Sequence, residues 1–512
     1  MPLQAKRGAE SETPISYLFT NVRVLTLDAD DTEYAAIDVH VSDGIIAAIG
    51  TALPRESGVD VIDGTGKLLM PGLVNGHFHS PGTFNKAAFA SLPLEIFMLY
   101  EVPPFDCPPV SPRLDHVRTL LGAVEMLKGG ITTVHDDPFY VPAVGMSRID
   151  AVLSAYRSAG IRATVSINMP NVVEYEKYPF LGELLPEAVR RRMQQAALLP
   201  GDELIALYRA YIERWHGVDD GRLRASVSCS APQRVTPDYL GALSDLSAEF
   251  DLPYNMHILE TRLQRVLGDV RFGKSLIRYV HDQGVLDERS VIIHAIWVDA
   301  DDLDLMAASG CSVAHNPICN LRLGSGVMPF RAIAERGITI CLGSDELCSD
   351  DTVNMWSVMK QAALVHNIAD PDYRRWPSAA EILRCGTTNG ARAMRLDSLT
   401  GSIEVGKQAD LVLIDLDSLT FTPLNDVRRH LIFCETGTDI RLVMVGGRIV
   451  VKDGQVLTVN ETDLKREVRE LMIEYAPQFR EVDRWVAELE PVYRQMYERA
   501  VRHELALNRW IV

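Results

Sequence analysis

A chain of 512 residues with 47% hydrophobic and 23% charged side chains can build a large core and a smaller second domain, and is too apolar to stay disordered. Its 69 acidic against 51 basic residues give a formal net charge of -18, which opposes sequence-independent attraction to phosphate backbones or anionic lipid. Nucleic acid and membranes are therefore not expected partners, and the eight cysteines (107, 229, 311, 319, 341, 348, 385 and 434) contain no CxxC pair that would suggest a thiolate zinc knuckle or a disulfide framework.

The N-terminal MPLQAKRGAESETPISYLF has no apolar signal core, and no later run reaches the roughly 18 apolar residues of a membrane span, so a cytoplasmic protein is predicted. The first seventy residues alternate with period 2 in SYLFTNVRVLTLD, AAIDVHVSDGIIAAIG and VDVIDGTGKLLMPG, the pattern of antiparallel strands joined by tight turns. From there to about residue 400 the texture changes. Eight short β-branched or apolar runs alternate with stretches of helical period: LLMPGLVNGHFH, GITTVHDD, IRATVSINM, LRASVSCSAP, LPYNMHILE, RSVIIHAIWV, GCSVAHNP and GITICLGSD. Intervening segments such as RLDHVRTLLGAVEMLKGG and DADDLDLMAASG end near glycine, as βα crossovers do, so eight β/α units and a (β/α)8 barrel over 71–400 are predicted. Strand texture returns over 401–460 in GSIEVGKQADLVLIDLDS and IRLVMVGGRIVVKDG, matching residues 1–70 as the other part of a β domain. Residues 461–512 are charged and helical in period, an extension able to pack on the barrel or on another subunit.

In a barrel of this kind the chemistry lies at the C-terminal ends of the strands. Strand one ends in His77 and His79, strand five in His257, strand six in His294, strand seven in His315 and strand eight in Asp345, in a chain with 13 histidines. Taken singly, each reads as a satisfied polar residue at a strand end. Together they read as a metal site: residues 77 and 79 share a face of their strand, and imidazole with carboxylate suits a borderline divalent ion that keeps a position open for water. His77, His79, His257 and Asp345 supply three nitrogens and an oxygen without any cysteine. Such an ion lowers the pKa of its water from about 15.7 to about 7.

The segments GLVNGHFH, HILE at 257–260, the lone His294, AHNPICNLRLGSG, LGSD and GSIEVGKQADLVLID together resemble the amidohydrolase superfamily. Within it they are similar to the branch of triazine hydrolases, guanine deaminase and S-adenosylhomocysteine deaminase, over about residues 17–455. The resemblance implies a distorted (β/α)8 barrel with a small β-sandwich built from the two flanking segments. It implies that His77, His79, His257 and Asp345 hold the metal, that Glu260 shuttles protons, and that His294 meets the attacking water or the substrate. Bimetal relatives commonly bridge their ions with a lysine at the end of strand four. None occurs between Lys177 and Lys274, so one ion is expected: zinc first, with iron or manganese as alternatives.

Glu260 lies three residues beyond a proposed ligand, well placed to carry a proton from water to a ring nitrogen, while His294 can stabilise charge at the tetrahedral centre. The long apolar loop after strand one reads as a pocket wall. Candidate substrate contacts are Gln233, His315, Asn320 and Glu346. Many nucleoside-type relatives carry a histidine after Ala-Pro on strand four, whereas this chain has Gln233, a departure that speaks against a nucleoside. Serine-hydrolase, Walker A, HExxH, GxGxxG and cytidine-deaminase signatures are missing. The expected activity is hydrolytic deamination of an amino-substituted nitrogen heterocycle, by a homo-oligomer acting on a small molecule. The alternatives are hydrolysis of a C–Cl or N-alkylamine bond of a triazine, or of an amide, urea or carbamate, and a non-catalytic assembly protein on the same fold.

Overall fold

The computed structural model describes residues 16–105, 110–141, 143–196 and 198–511. Cys107 and the charged N-terminal residues 1–15 lie outside the described residues.

The two flanking segments meet in one nine-stranded sheet. Lys67–Pro71, the last strand of the first segment, pairs antiparallel with Leu411–Asp415, the first of the second. Period-2 alternation decides what each face does. Leu69, Leu411, Leu413, Leu442 and Met444 point into a core shared with Phe19, Val39 and Ile46, so the sheet curls over an interior of its own. The alternate residues Leu68, Met70, Val412, Ile414, Val443 and Val445 join the barrel's core instead. A buried ion pair fastens the two parts: Arg162 Nε, on the third barrel strand, donates to Asp410 Oδ2 at 2.7 Å.

The barrel consists of two five-stranded parallel arcs. One contains Leu73–His79, Ile131–Asp136, Arg162–Val165 and Leu223–Ala225, together with the two-residue Asp345–Glu346; the other runs from Val227–Ser228 through Tyr254–Ile258, Ser290–His294 and Ser312–His315 to Thr339–Leu342. Strands four and eight each belong to both arcs, interrupted at Ser226 and at Gly343–Ser344, and these two shared strands complete the ring. The expected eight units are therefore present, in the distorted form the resemblance implied.

Asn460 caps a helix of 42 residues, Glu461–Arg502, by accepting from the backbone N–H groups of Thr462 and Asp463. Its Trp485, Val486, Leu489, Tyr493 and Met496 pack on Ile96 and Leu99 of the helix after strand one, on Tyr178, Leu181 and Met193 after strand three, and on Leu263 and Val266 after strand five. The tail then doubles back: Arg509 donates to the carbonyls of Ile296 and Val298, and the Trp510 ring meets Trp297 edge-on at 5.4 Å. The extension thus packs on its own barrel, across the loops of the catalytic face. Among the described residues no helix is long and apolar enough to cross a membrane.

Candidate active site

Departures from regular strand geometry aim the site's side chains. Along strand one the ladder pairs Asn75 with Val134 and Phe78 with Asp136, three residues against two, which is a bulge. Past the bulge Phe78 turns outward to the helix at Gly122, and His77 and His79 turn into the barrel. His257 faces inward by simple alternation, since Met256 and Ile258 lie in the outer core. His294 does not: Ile292, two residues before it, packs outward, and only a left-handed backbone (φ 75°) swings the imidazole back over the barrel mouth. Asp345 (φ 62°), Ser230 (φ 63°) and Leu259 (φ 55°) adopt the same costly region at their strand ends. Gly343 permits the close passage of strand eight, because a Cβ there would lie 2.5 Å from Asn316 Oδ1 and 2.8 Å from the His77 Cβ.

The result is a convergence of buried nitrogens. His257 Nε2 lies 3.2 Å from both His77 Nε2 and His79 Nε2, and Asp345 Oδ1 lies 3.5 Å and 3.6 Å from the latter two. Second contacts set the tautomers: His79 Nδ1 donates to the Asp137 carbonyl at 2.6 Å and His257 Nδ1 to the Ser230 carbonyl at 2.7 Å. A carbonyl accepts only from N–H, so both neutral rings carry lone pairs on Nε2. Two lone pairs 3.2 Å apart repel unless a cation lies between them, and three imidazoles with a carboxylate are a donor set that fits a divalent metal.

Glu260 and His294 sit beside this group, with Glu260 Oε2 3.5 Å and Asp345 Oδ2 3.7 Å from His294 Nε2. Burial, and then the charge on Asp345, push the Glu260 carboxyl well above its ordinary range, which favours a proton there. Burial also lowers His294, to about 4, so the ring is neutral at physiological pH. Although burial opposes it, the imidazoles of His77, His294 and His79 keep Asp345 ionised, well below the usual carboxylate range. His294 Nδ1 meets an acceptor, Asn320 Oδ1 at 3.0 Å, and a donor, Asn316 Nδ2 at 3.3 Å, so either neutral tautomer finds a partner. His79, His257, Glu260, His294 and Asp345 line a cavity of about 200 Å³ that is walled also by Leu94, Phe97, Phe139, Tyr140, Met169 and Tyr178. An acid, a neutral base and a cation site in the lining of a mainly apolar cavity can together move protons on a bound ring.

The structure brings His77, His79, His257, Glu260, His294 and Asp345 together, and it disperses the expected substrate contacts. Glu346 does line the cavity, accepting from the Cys348 thiol at 3.0 Å, with Glu101 on the other side of that thiol. Asn320 lies behind His294 and supports it. Gln233 is buried outside the cavity lining, so its departure from the relatives' histidine says little about which ring enters. His315 points outward to His366, Nε2 to Nε2 at 3.1 Å, because it shares the face of Val313 in the outer core. The alternation of SVAH already contained that orientation. Sequence reasoning passed over Arg234, which lines the cavity, and Glu95, whose Oε1 accepts from Thr261 Oγ1 at 2.5 Å beside Glu260. A lone carboxylate inside the apolar LPLEIFML was the available signal for Glu95.

The chain is similar to several known proteins. A 5'-deoxyadenosine deaminase of Methanosarcina mazei is 26% identical over 452 residues, 88% of this chain and 96% of its own. A 5-methylthioadenosine/S-adenosylhomocysteine deaminase of Nitratidesulfovibrio vulgaris strain Hildenborough is 31% identical over 440 residues, 85% of this chain and 91% of its own. Among solved structures, a zinc-bound adenosine deaminase of Xanthomonas campestris superposes with a TM-score of 0.79 at 24% identity, covering 91% of this chain and 99% of that one. The zinc complex of atrazine chlorohydrolase TrzN from Arthrobacter aurescens also gives 0.79 at 24% identity, covering 89% and 100%. These two likenesses speak for the fold. Residues 68–450 match the amidohydrolase family, and the chain, with its barrel, its curled sheet and its histidine cluster at the strand ends, belongs to it.

Proposed function

We propose that this protein is a zinc-dependent aminohydrolase that exchanges the exocyclic amino group of an adenine-type nucleoside for oxygen and releases ammonia. The observation that carries the reading is the histidine and aspartate cluster, of a kind that could hold a divalent ion, set beside a buried acid, Glu260, and a buried neutral imidazole, His294, in the lining of a mainly apolar cavity. The nucleoside is supported by the two curated relatives, both named as deaminases of adenosine derivatives. Zinc is supported by the zinc-bound structural neighbours, and a single ion by the missing lysine at strand four.

In this reading His77, His79, His257 and Asp345 would hold the ion, which when bound would supply an acidified water for the attack. Asp345 Oδ2, turned toward His294, would orient the attacking water and accept its proton. Glu260 would give its proton to the ring nitrogen, so that the carbon is attacked as an electrophile, then carry the attacking oxygen's remaining proton to the departing amine, and finally recover the proton that Asp345 accepted. His294, satisfied in either tautomer, offers Nε2–H to the oxygen that gains negative charge while Asn316 donates to Nδ1. The aromatic and aliphatic walls offer apolar contact to the ring.

The test is a panel of 5'-deoxyadenosine, 5'-methylthioadenosine, adenosine and 4-aminopyrimidines with the zinc-loaded chain, read out as ammonia. A chloro- and an alkylamino-triazine serve as controls for the leaving group. Faster release of chloride or alkylamine than of ammonia, or no ammonia from any member, would overturn the proposal.

A further inference from the structure

Two cationic side chains line the active-site cavity, and they differ in one respect. Lys177 Nζ lies 2.6 Å from Glu174 Oε2, a complete ion pair. The Arg234 guanidinium makes a single hydrogen bond, Nη1 to Ser230 Oγ at 3.2 Å, and forms no ion pair with any carboxylate among the described residues. Two acids lie within its electrostatic reach without pairing to it: Glu95, whose Oε1 accepts from the Thr261 hydroxyl while Oε2 has no hydrogen bond, and Glu260, whose Oε2 lies 3.5 Å from His294 Nε2. Its backbone is fixed, since the Arg234 N–H donates to the Ala231 carbonyl and the Arg234 carbonyl accepts from the Asn171 N–H at 3.1 Å. The fork therefore lines the cavity at the end of strand four, half-buried, with Ser230 engaging one of its donors.

A guanidinium withdrawn from water without a counter-ion is unfavourable, and its planar set of donors matches two oxygens of one anion better than any neutral group. We propose that Arg234 anchors an oxyanion of the substrate, a carboxylate or phosphate borne by the amino-heterocycle or its sugar. This rests on the aminohydrolase reading and narrows it.

The experiment compares three matched pairs on the zinc-loaded full chain: adenosine with its 5'-carboxylate, adenosine with adenosine 5'-monophosphate, and 4-aminopyrimidine with a 4-aminopyrimidine carboxylate. The pairs separate carboxylate from phosphate and sugar attachment from ring attachment. In at least one pair the anionic member should have the higher kcat/KM by about 10- to 100-fold, expressed mainly in KM, as befits a hydrogen bond to a charged group. Arg234→Met should bring that ratio close to one, and Arg234→Lys, which keeps the charge but not the fork, should retain part of it. Calorimetric titration of the same pairs into Glu260→Gln protein, with and without Arg234→Met, reads the preference without turnover. A Kd preference there without deamination sinks the aminohydrolase reading and leaves the anchor standing. A neutral preference in every pair, or a ratio untouched by Arg234→Met in folded protein, overturns the anchor.

Discussion

Replacing Glu260 by glutamine isolates the proton shuttle from everything else in the site. The side chain is buried, and its distance to His294 Nε2, 3.5 Å, is too long for a strong hydrogen bond. The amide has the same shape, and the backbone N–H of residue 260 keeps its 2.9 Å bond to Gln264 Oε1, so stability should change by no more than about 1 kcal/mol. The proposed metal donors are untouched, because Glu260 is outside the His77, His79, His257 and Asp345 cluster. Removal of general acid–base catalysis costs about 10²- to 10⁴-fold, or about 3–5 kcal/mol of transition-state stabilisation. The assay is kcat by ammonia release, with zinc per chain by plasma emission and melting temperature as controls. Since burial and Asp345 hold the Glu260 carboxyl above its ordinary range, the parent should lose kcat on the alkaline side as that proton leaves, and the glutamine variant should lose that limb. A variant that keeps its zinc and turns over at the parent rate would refute the shuttle; one that loses zinc would refute the separation of acid from metal site.

His257→Ala removes the nitrogen that lies 3.2 Å from both other imidazoles, so zinc affinity should fall by more than about 100-fold, measured by competition with a chromophoric chelator; near-parental affinity would remove His257 from the ligand set. Trp485→Ala should lower stability by about 3–5 kcal/mol and raise KM, because the indole meets Phe105 edge-on at 6.1 Å and Phe105 lines the cavity; a lower melting temperature with unchanged KM would separate the helix from the pocket. His135, held by Ser226 and Asn255 inside the barrel, is lowered by burial and by His77 to about 3. Its neutral form is then retained in the fold while the unfolded chain takes up a proton below about 6.5, so this stability is present above pH 6.5 and is lost as pH falls, by about 2 kcal/mol at pH 5. His135→Gln should flatten the fall in melting temperature between pH 7 and 5, and an identical slope would show that His135 is not the titrating group.

Much of this was legible in the sequence because period 2 is a geometric rule. Alternation placed Leu69, Leu411 and Leu442 on one face of the flanking sheet, and the spacing of His77 and His79 put both on one side of their strand. What escaped is what alternation does not encode. Arg234 follows a strand already ended, in the turn Pro232–Arg234, where no period says which way a side chain points. The long C-terminal helix displays an amphipathic face, but the residues it covers, from Ile96 to Val266, are scattered over three loops, and no local pattern names a partner that distant. His315 is the opposite case, for the rule applied and directed it outward to His366.

The site exists where the barrel breaks its own regularity. A strand-six histidine in regular β geometry would follow Ile292 into the outer core; the positive φ at His294 costs energy and gains an imidazole over the barrel mouth. Without the bulge in strand one, Phe78 would enter the barrel in place of His77 and His79. Strand eight leaves one arc at Leu342 and joins the other at Asp345, and the interruption lets Gly343 pass against His77 while Asp345, at φ 62°, turns toward the imidazoles. Each irregularity lies one or two residues from a group the chemistry needs, and each sits on a wall of fully buried aliphatic side chains whose packing offsets the strain. Mutations that relieve the strain should therefore favour the fold over the activity, the opposite of what a core substitution does.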